Sequence, residues 1–132
     1  MMSCGLPSGE QVQWESAVWR ASEEMPAVRY RVRRASLARR AELTRRVRGL
    51  VEELACRAAG EGAVERLAAA ELELEADRIY VEWGVLEVAG LVIDGEAASV
   101  GAVVEKGPEG LCREMAAAVR SELTLSEGER KN

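Results

Sequence analysis

The sequence predicts a single α+β domain that is mainly helical, and three patterns support this prediction. Apolar residues recur at steps of three and four along about residues 36–59, 63–83 and 108–123, which is the spacing of amphipathic helices. Residues 28–33 alternate strictly between apolar side chains and arginine, which indicates a strand. Asp94-Gly95 lies among β-branched residues and indicates a tight hairpin. The expected architecture is therefore short N-terminal strands, an antiparallel helix pair, a small mid-chain β-hairpin and a C-terminal helix.

The chain has 132 residues, of which 48% are hydrophobic. This is enough for one domain with a core. Residues 1–10 are rich in Gly, Pro and Ser and are expected to be disordered. Residues 11–125 should form the domain, and residues 126–132 a polar C-terminal tail. The N-terminus lacks the basic and apolar regions of a signal peptide, and no apolar stretch is long enough to span a bilayer. With three scattered cysteines and no C-x-x-C motif, we expect a reduced, cytoplasmic protein.

The first strands are expected in the N-terminal part of the domain. Imperfect alternation over residues 12–19 allows a short strand, and a turn follows at residues 22–26. The next strand has one apolar face and one cationic face, a pattern that suits an edge strand protected from aggregation. The apolar face carries Val28, Tyr30 and Val32, and the cationic face carries Arg29, Arg31 and Arg33.

Two long helices should follow these strands. Ser36 can cap the first helix, and the run Gly60-Glu61-Gly62 ends it and turns the chain. A second helix is expected over Ala63–Trp83, and its apolar side, which includes Val64 and Leu67, should pack. Because the turn is short, the two helices should pack antiparallel, which would place an Arg-rich helix beside a Glu-rich one.

The remaining elements are a hairpin and a C-terminal helix. Short strands are expected on either side of Asp94-Gly95, with the return at residues 96–98. Ser99 can cap a brief helix to about Lys106. Gly107-Pro108 should end this brief helix, and the last helix should begin there. The apolar stripe of that helix consists of Leu111, Cys112, Met115, Ala116, Val119 and Leu123.

The charge of the chain is divided unevenly along its length. Residues 1–48 carry ten Arg and five Glu, whereas residues 49–132 carry eight Lys or Arg and eighteen Asp or Glu. The arginine excess has a compositional interpretation, since Arg, Ala, Gly and Val all have GC-rich codons. It also has a functional one, in which the arginine run contacts a partner. The candidate partner-binding residues are Arg29, Tyr30, Arg31, Arg33, Arg34, Arg39 and Arg40.

Two classes of partner could use the arginine run. Clustered guanidinium groups suit phosphates, and Tyr30 could add a stacking surface, which together describe a nucleic-acid-binding module. The sequence pI of about 5.0 argues against it, because a domain that binds nucleic acid usually carries net positive charge. Alternatively, opposite charges on one molecule could join copies through a heterologous contact, giving rings or filaments of a homo-oligomeric structural subunit. A further possibility is that the amphipathic helices form an apolar groove that binds a helix of another protein, its client.

No pattern in the sequence indicates catalysis, a metal site or a cofactor. Histidine is absent, which removes the commonest general base and metal ligand. Glu71, Glu75 and Glu82 share a helix face but lack a Glu-x-x-His partner, so we interpret them as a solvated face. Cys56 and Cys112 lie in or near apolar stripes and are expected to be small buried side chains. We therefore expect a non-enzymatic protein without cofactor.

Three segments resemble small proteins encoded in tail-assembly gene clusters of tailed phages and prophages. They are VRYRVRRASLARRAEL at residues 28–43, DRIYVEWGVLEVAGLVIDGEAAS at 77–99 and GPEGLCREMAAAVRSELTLSEGERKN at 107–132. The resemblance is to tail assembly chaperones and related accessory proteins. It implies a non-enzymatic protein of the bacterial host cytoplasm that binds a tape-measure or tail-tube protein. The Arg-rich strand has no counterpart in that function.

The resemblance also implies a feature of the gene. Many tail assembly chaperones are made in two lengths through a ribosomal frameshift near the end of the shorter reading frame. Lys131-Asn132 is the dipeptide that an AAA-AAC slippery sequence encodes, although it is equally a simple polar ending. The codons of residues 130–132 distinguish the two interpretations.

Overall fold

The structure is a computed structural model that describes residues 11–60 and 62–131. These residues form a mixed α+β fold of four helices and five short strands, which confirms the predicted fold class. The expectation of disorder for residues 1–10 lies outside the described residues. Strands β1 to β5 span Ala17–Ala21, Arg29–Arg33, Val85–Ala89, Val92–Ile93 and Glu96–Ala97. Helices α1 to α4 span Leu37–Ala58, Ala63–Gly84, Val100–Lys106 and Glu109–Lys131.

The main sheet has three antiparallel strands in the order β1-β2-β3. Alternation along β2 places every second side chain on the face that packs against the helices. Val28, just before β2, and Tyr30 and Val32 within it are only 1%, 2% and 0% exposed, so the predicted apolar face is confirmed. Arg29, Arg31 and Arg33 therefore lie on the outer face of the sheet.

Two expectations for the sheet are wrong. The first strand begins at Ala17 rather than Val12, because its pairing with β2 starts where Ala17 meets Arg33, and residues 11–16 are exposed. The arginine-bearing strand β2 is the central strand and not an edge strand. Strand β3 pairs with β2 on the side opposite β1, which places β2 between two neighbours.

Helices α1 and α2 form the antiparallel hairpin that the sequence predicts. The Ser36 hydroxyl accepts a hydrogen bond from the backbone N–H of Arg39 at 3.2 Å and so caps α1. Near the turn, the guanidinium of Arg57 lies 3.4 Å from the carboxylate of Glu65, which joins the two helices. Close to the sheet, both helices contribute to the core, through Leu43 and other buried residues.

The small hairpin β4-β5 turns at Asp94-Gly95 as predicted. Both residues have positive φ, 52° and 83°. This is the conformation of a tight two-residue turn. Gly90 also has a φ of 83° and separates β3 from β4. A Cβ at Gly90 would collide with the carbonyl oxygen of Ala27, so no larger residue fits without movement of the backbone.

The C-terminal helices complete the core. The Ser99 hydroxyl accepts from the N–H of Ala102 at 3.1 Å and caps α3, as predicted. Helix α4 contributes four fully buried residues to the core: Leu111, Met115, Ala116 and Val119. Helix α4 continues to Lys131, so the backbone of residues 126–131 is helical. Within the part of the chain that the structure describes, no helix is both long and apolar enough to cross a membrane.

Candidate partner-binding surfaces

The arginine row of β2 lies on the outer face of the sheet, and each guanidinium group contacts another part of the chain. Arg29 lies over the ring of Trp19, at 5.1 Å from its centroid. Arg31 forms a salt bridge of 3.5 Å with Glu87 on β3. Arg33 donates a hydrogen bond of 3.0 Å to the backbone carbonyl oxygen of Trp83. These contacts fix the arginine side chains against the sheet.

The other arginines of the predicted site are also engaged within the chain. Arg34 lies 5.2 Å from the ring centroid of Trp14, and Arg39 forms a salt bridge of 3.0 Å with Glu42. Arg40 donates to the backbone carbonyl oxygen of Leu123 at 2.8 Å, which joins α1 to α4. The predicted residues are thus divided between the sheet and the start of α1.

Tyr30 is not part of an exposed surface, which corrects the expectation that its ring could stack on a partner. The residue is 2% exposed and belongs to the hydrophobic core. Its hydroxyl donates a hydrogen bond of 2.8 Å to Glu114 on α4. Burial, together with this carboxylate, raises the pKa of the Tyr30 hydroxyl well above its ordinary value.

Glu114 joins α4 to the turn between β1 and β2. Besides the Tyr30 hydroxyl, its carboxylate accepts hydrogen bonds from the Ser22 hydroxyl at 2.8 Å and from the backbone N–H groups of Glu23 and Glu24 at 3.1 Å. Burial alone would raise the pKa of Glu114, but these four hydrogen bonds together outweigh it and lower the pKa. Nothing in the sequence near residue 114 indicates this contact, because its partners lie about ninety residues away.

An open groove of about 660 Å³ lies between α2, α3 and α4, and we call it the α2 groove. Its apolar part consists of Leu72, Leu74, Val81, Val104 and Cys112. Its polar part consists of Glu71, Glu75, Asp77, Arg78, Glu109 and Arg113. Apolar side chains surrounded by charged ones are the ordinary composition of a site for an amphipathic helix.

The charged side chains of the α2 groove leave it acidic. Arg78 is held by Glu82 at 3.2 Å and by Glu105 at 2.8 Å, and these carboxylates raise its pKa. Arg113 pairs with Glu109 at 2.6 Å. In contrast, Glu71 and Glu75 form no salt bridge with any described residue. The unpaired charge at the groove is therefore negative and favours a cationic partner.

An exposed apolar row continues from the groove towards the turn of the helical hairpin. Val64, Leu67 and Leu74 are 73%, 67% and 51% exposed. Their steps of three and seven residues place them on one face of α2, with Glu71 between them. We call these four residues the α2 ridge. The sequence predicts Val64 and Leu67 as packed, so this part of the prediction is wrong.

The helical hairpin is longer than the sheet against which it packs. Helices α1 and α2 have 22 residues each, whereas β1, β2 and β3 have 5 residues each. At the usual rise per residue, each helix is about 33 Å long and each strand extends about 17 Å. The part of the hairpin near its turn therefore projects beyond the sheet. Since no described element covers it, its apolar stripe remains accessible.

The cysteines differ in their surroundings. Cys112 is half-buried at the α2 groove, where its thiol donates to the carbonyl oxygen of Val103 at 3.3 Å and burial raises its pKa. Cys56 is exposed on α1, which corrects the expectation that it is buried. Among the described residues there is no cluster of three acidic or cysteine side chains that could hold a metal ion.

Comparison of the chain with family models, with curated proteins and with solved structures finds no match.

Proposed function

We propose that this protein is a non-enzymatic tail-assembly chaperone or accessory protein of a phage or prophage, which holds a helical segment of a structural partner such as a tape-measure protein. The observation that carries the proposal is the α2 groove, which has an apolar floor, an acidic border and an open side. The segment resemblances supply the phage context, and the groove supplies a binding mode.

The groove and the ridge together have the dimensions of a helix-binding site. From Val64 to Arg78 the exposed side chains of the ridge and the groove extend over fourteen residues of α2. This corresponds to about 21 Å of helix. A client helix of that length would place apolar residues at steps of three and four against Val64, Leu67 and Leu74. Lys or Arg on its flanks would meet Glu71 and Glu75. The preferred client is therefore an amphipathic helix with basic flanks.

Co-expression with the tape-measure and tail-tube proteins of the neighbouring genes tests the proposal. The wild-type chain should co-purify with one of them, and Leu74→Arg, which places a charge in the apolar floor, should reduce the retained partner at least tenfold. Leu37→Arg is the matched control, because Leu37 is 82% exposed at the start of α1 and lies outside the groove. Equal retention of the partner by both variants, or none by the wild type, would contradict the proposal.

A nucleic-acid-binding module is the alternative that the outer face of the sheet favours, since Arg29, Arg31 and Arg33 lie there in one row. Phosphate binding weakens steeply with salt, so fluorescence anisotropy with labelled DNA and RNA should be measured at 50 mM and 200 mM salt. Binding that disappears at the higher salt and in the double variant Arg29→Gln/Arg31→Gln would support the alternative. No binding at the lower salt would remove it.

A further inference from the structure

We infer that two copies of this chain associate through their helical hairpins, with the α2 ridge of each copy against α1 of the other around a two-fold axis parallel to the helices. The occupant of the ridge is thus a second copy of the same chain. Three features of the hairpin lead to this arrangement: complementary charges, the nearly equal height of Arg46 and Glu75 along the hairpin, and a glycine on α1.

The two helices carry exposed groups of opposite charge that form no salt bridge within the described part of the chain. Arg45 and Arg46 on α1 are exposed and form no salt bridge with any described residue. Glu71 and Glu75 on α2 are likewise exposed and without a salt bridge in the described part of the chain. Contact between α1 of one copy and α2 of another would bring these groups together, which favours the pairing and fixes its orientation.

Arg46 and Glu75 lie at nearly the same height along the hairpin. The salt bridge between Arg57 and Glu65 sets the register of the two helices. Eleven residues before Arg57 is Arg46, and eleven residues after Glu65 is Ala76, next to Glu75. A two-fold axis parallel to the helices preserves height. It therefore places Arg46 of each copy within one residue of the height of Glu75 of its partner, whereas Glu71 lies at the height of Val51, about 8 Å nearer the turn.

Gly49 allows the helices to approach closely. It follows Arg46 by three residues and precedes Cys56 by seven, so the three positions share one face of α1. Apart from the adjoining backbone of α1, a Cβ built at Gly49 meets no described atom within 4 Å, so the glycine is not required by packing within one copy. By the register above, Gly49 is level with Glu73, next to Leu74 of the ridge. The absence of a side chain leaves room for Leu74 of the second copy.

The two-fold arrangement also closes the assembly. Each copy offers both a basic and an acidic helix, and a head-to-tail contact would leave one of each free and continue into a filament. In the two-fold pair, both contacts form at once and the two hairpins make a four-helix bundle. The exposed apolar side chains Val64, Leu67 and Leu74 are then covered.

The inferred interface shares Glu71, Leu74 and Glu75 with the α2 groove, so a second copy and a client helix would compete for the same part of α2. Self-association is measured without any client. The result therefore does not depend on the proposed function. A protein that binds no client can still form the dimer, and a protein that forms no dimer can still bind a client.

A charge exchange between two variants tests the inference. In the first variant, Arg45→Glu/Arg46→Glu reverses two charges of α1, and in the second, Glu71→Arg/Glu75→Arg reverses two charges of α2. By light scattering after size exclusion, the wild type should have twice the 14.4 kDa mass of the chain. For each variant alone, the dissociation constant of the dimer should be at least tenfold higher than that of the wild type. An equimolar mixture should restore a dimer containing one copy of each, because both helix contacts are then again between opposite charges.

Circular dichroism of each variant verifies that it remains helical, and Gly49→Gln provides a second test. Glutamine is a better helix former than glycine, so this change should raise the thermal unfolding temperature of the monomer while weakening the dimer at least tenfold. A monomeric wild type at 100 µM chain, a mixture that stays monomeric, oligomers larger than two, or an unweakened Gly49→Gln dimer would each overturn the inference.

Discussion

The hydroxyl of Tyr30, at the centre of the sheet, donates a hydrogen bond of 2.8 Å to the carboxylate of Glu114 on α4. The same carboxylate accepts from Ser22 and from two backbone N–H groups of the turn that joins β1 to β2. A charged acceptor with four donors is thus the main polar contact between the N-terminal turn and the last helix. Because it connects residues far apart in the chain, it contributes to the cohesion of the whole domain.

Replacing Glu114 with Gln should destabilise the domain by about 1.5–3 kcal/mol, which is the usual effect of losing hydrogen bonds to a charged group. All four donors lose a charged partner, and the two that face the amide NH2 group also lose their acceptor. Urea unfolding followed by circular dichroism measures the change. Glu96→Gln is the control, since Glu96 is exposed on β5. This control should change stability by less than about 0.5 kcal/mol. Equal midpoints for the two variants would show that the Glu114 contact is not stabilising.

The contribution of Glu114 should depend on pH in a defined direction. Its pKa in the folded state lies below the ordinary value of 4.5, so the folded state favours the charged carboxylate. The resulting stability is complete above the pKa of the unfolded chain and is lost as the pH falls through the lower folded pKa. The difference in unfolding free energy between the wild type and Glu114→Gln should therefore be constant from pH 6 to 8 and should decrease below about pH 4.5. A difference that grows on acidification would contradict this assignment.

Gly90 and Gly95 allow a matched comparison, because both have a φ of 83° but only Gly90 is crowded. Gly95→Ala should cost about 1–2 kcal/mol, the usual strain of a left-handed alanine. Gly90→Ala adds a collision with the carbonyl oxygen of Ala27 and should cost about 3 kcal/mol or more. Thermal unfolding of the two variants measures the difference. Similar unfolding temperatures would show that the segment around Ala27 can move aside at little cost.

Local signals in the sequence predict much of this fold. Ser36 and Ser99 mark the starts of α1 and α3 because each hydroxyl can satisfy a backbone N–H that the helix leaves free. Asp94-Gly95 indicates its turn because both residues tolerate positive φ. In each case the physical cause lies within a few residues, and the sequence contains all of it.

Contacts between distant segments could not be predicted in the same way. Residues Val85–Ala89 have the composition of a strand, but composition does not state which strand is the partner, and the observed pairing with β2 joins residues more than fifty positions apart. The alternation along β2 predicts which face is cationic but not that Trp19 lies beneath Arg29. Similarly, an apolar stripe on α2 does not reveal whether another element covers it.

The length of the predicted helices does, however, indicate that part of the hairpin is exposed. Because α1 and α2 extend about twice as far as the short strands, residues near their turn cannot all reach the core. This comparison predicts that part of the hairpin projects beyond the sheet, but only the placement of α3 and α4 shows that the ridge is uncovered. The acidic groove could not be predicted either, for the same reason.

The two ends of the helical hairpin should differ in their effect on stability. Leu43 of α1 is 4% exposed near the sheet, whereas Leu67 of α2 is 67% exposed. Leu43→Ala should therefore cost about 2–5 kcal/mol through lost burial and the resulting cavity. Leu67→Ala should change the stability of the monomer by less than about 0.5 kcal/mol, as is usual for a surface position.

Urea unfolding at low micromolar protein in 0.5 M salt, where association is weak, separates the stability of the monomer from dimer formation. Under those conditions Leu43→Ala should lower the unfolding midpoint strongly and Leu67→Ala should leave it nearly unchanged. A cost of several kcal/mol for Leu67→Ala would show that the ridge is packed within a single copy. Because the groove and dimer proposals both depend on an exposed ridge, that outcome would remove the surface on which they are built.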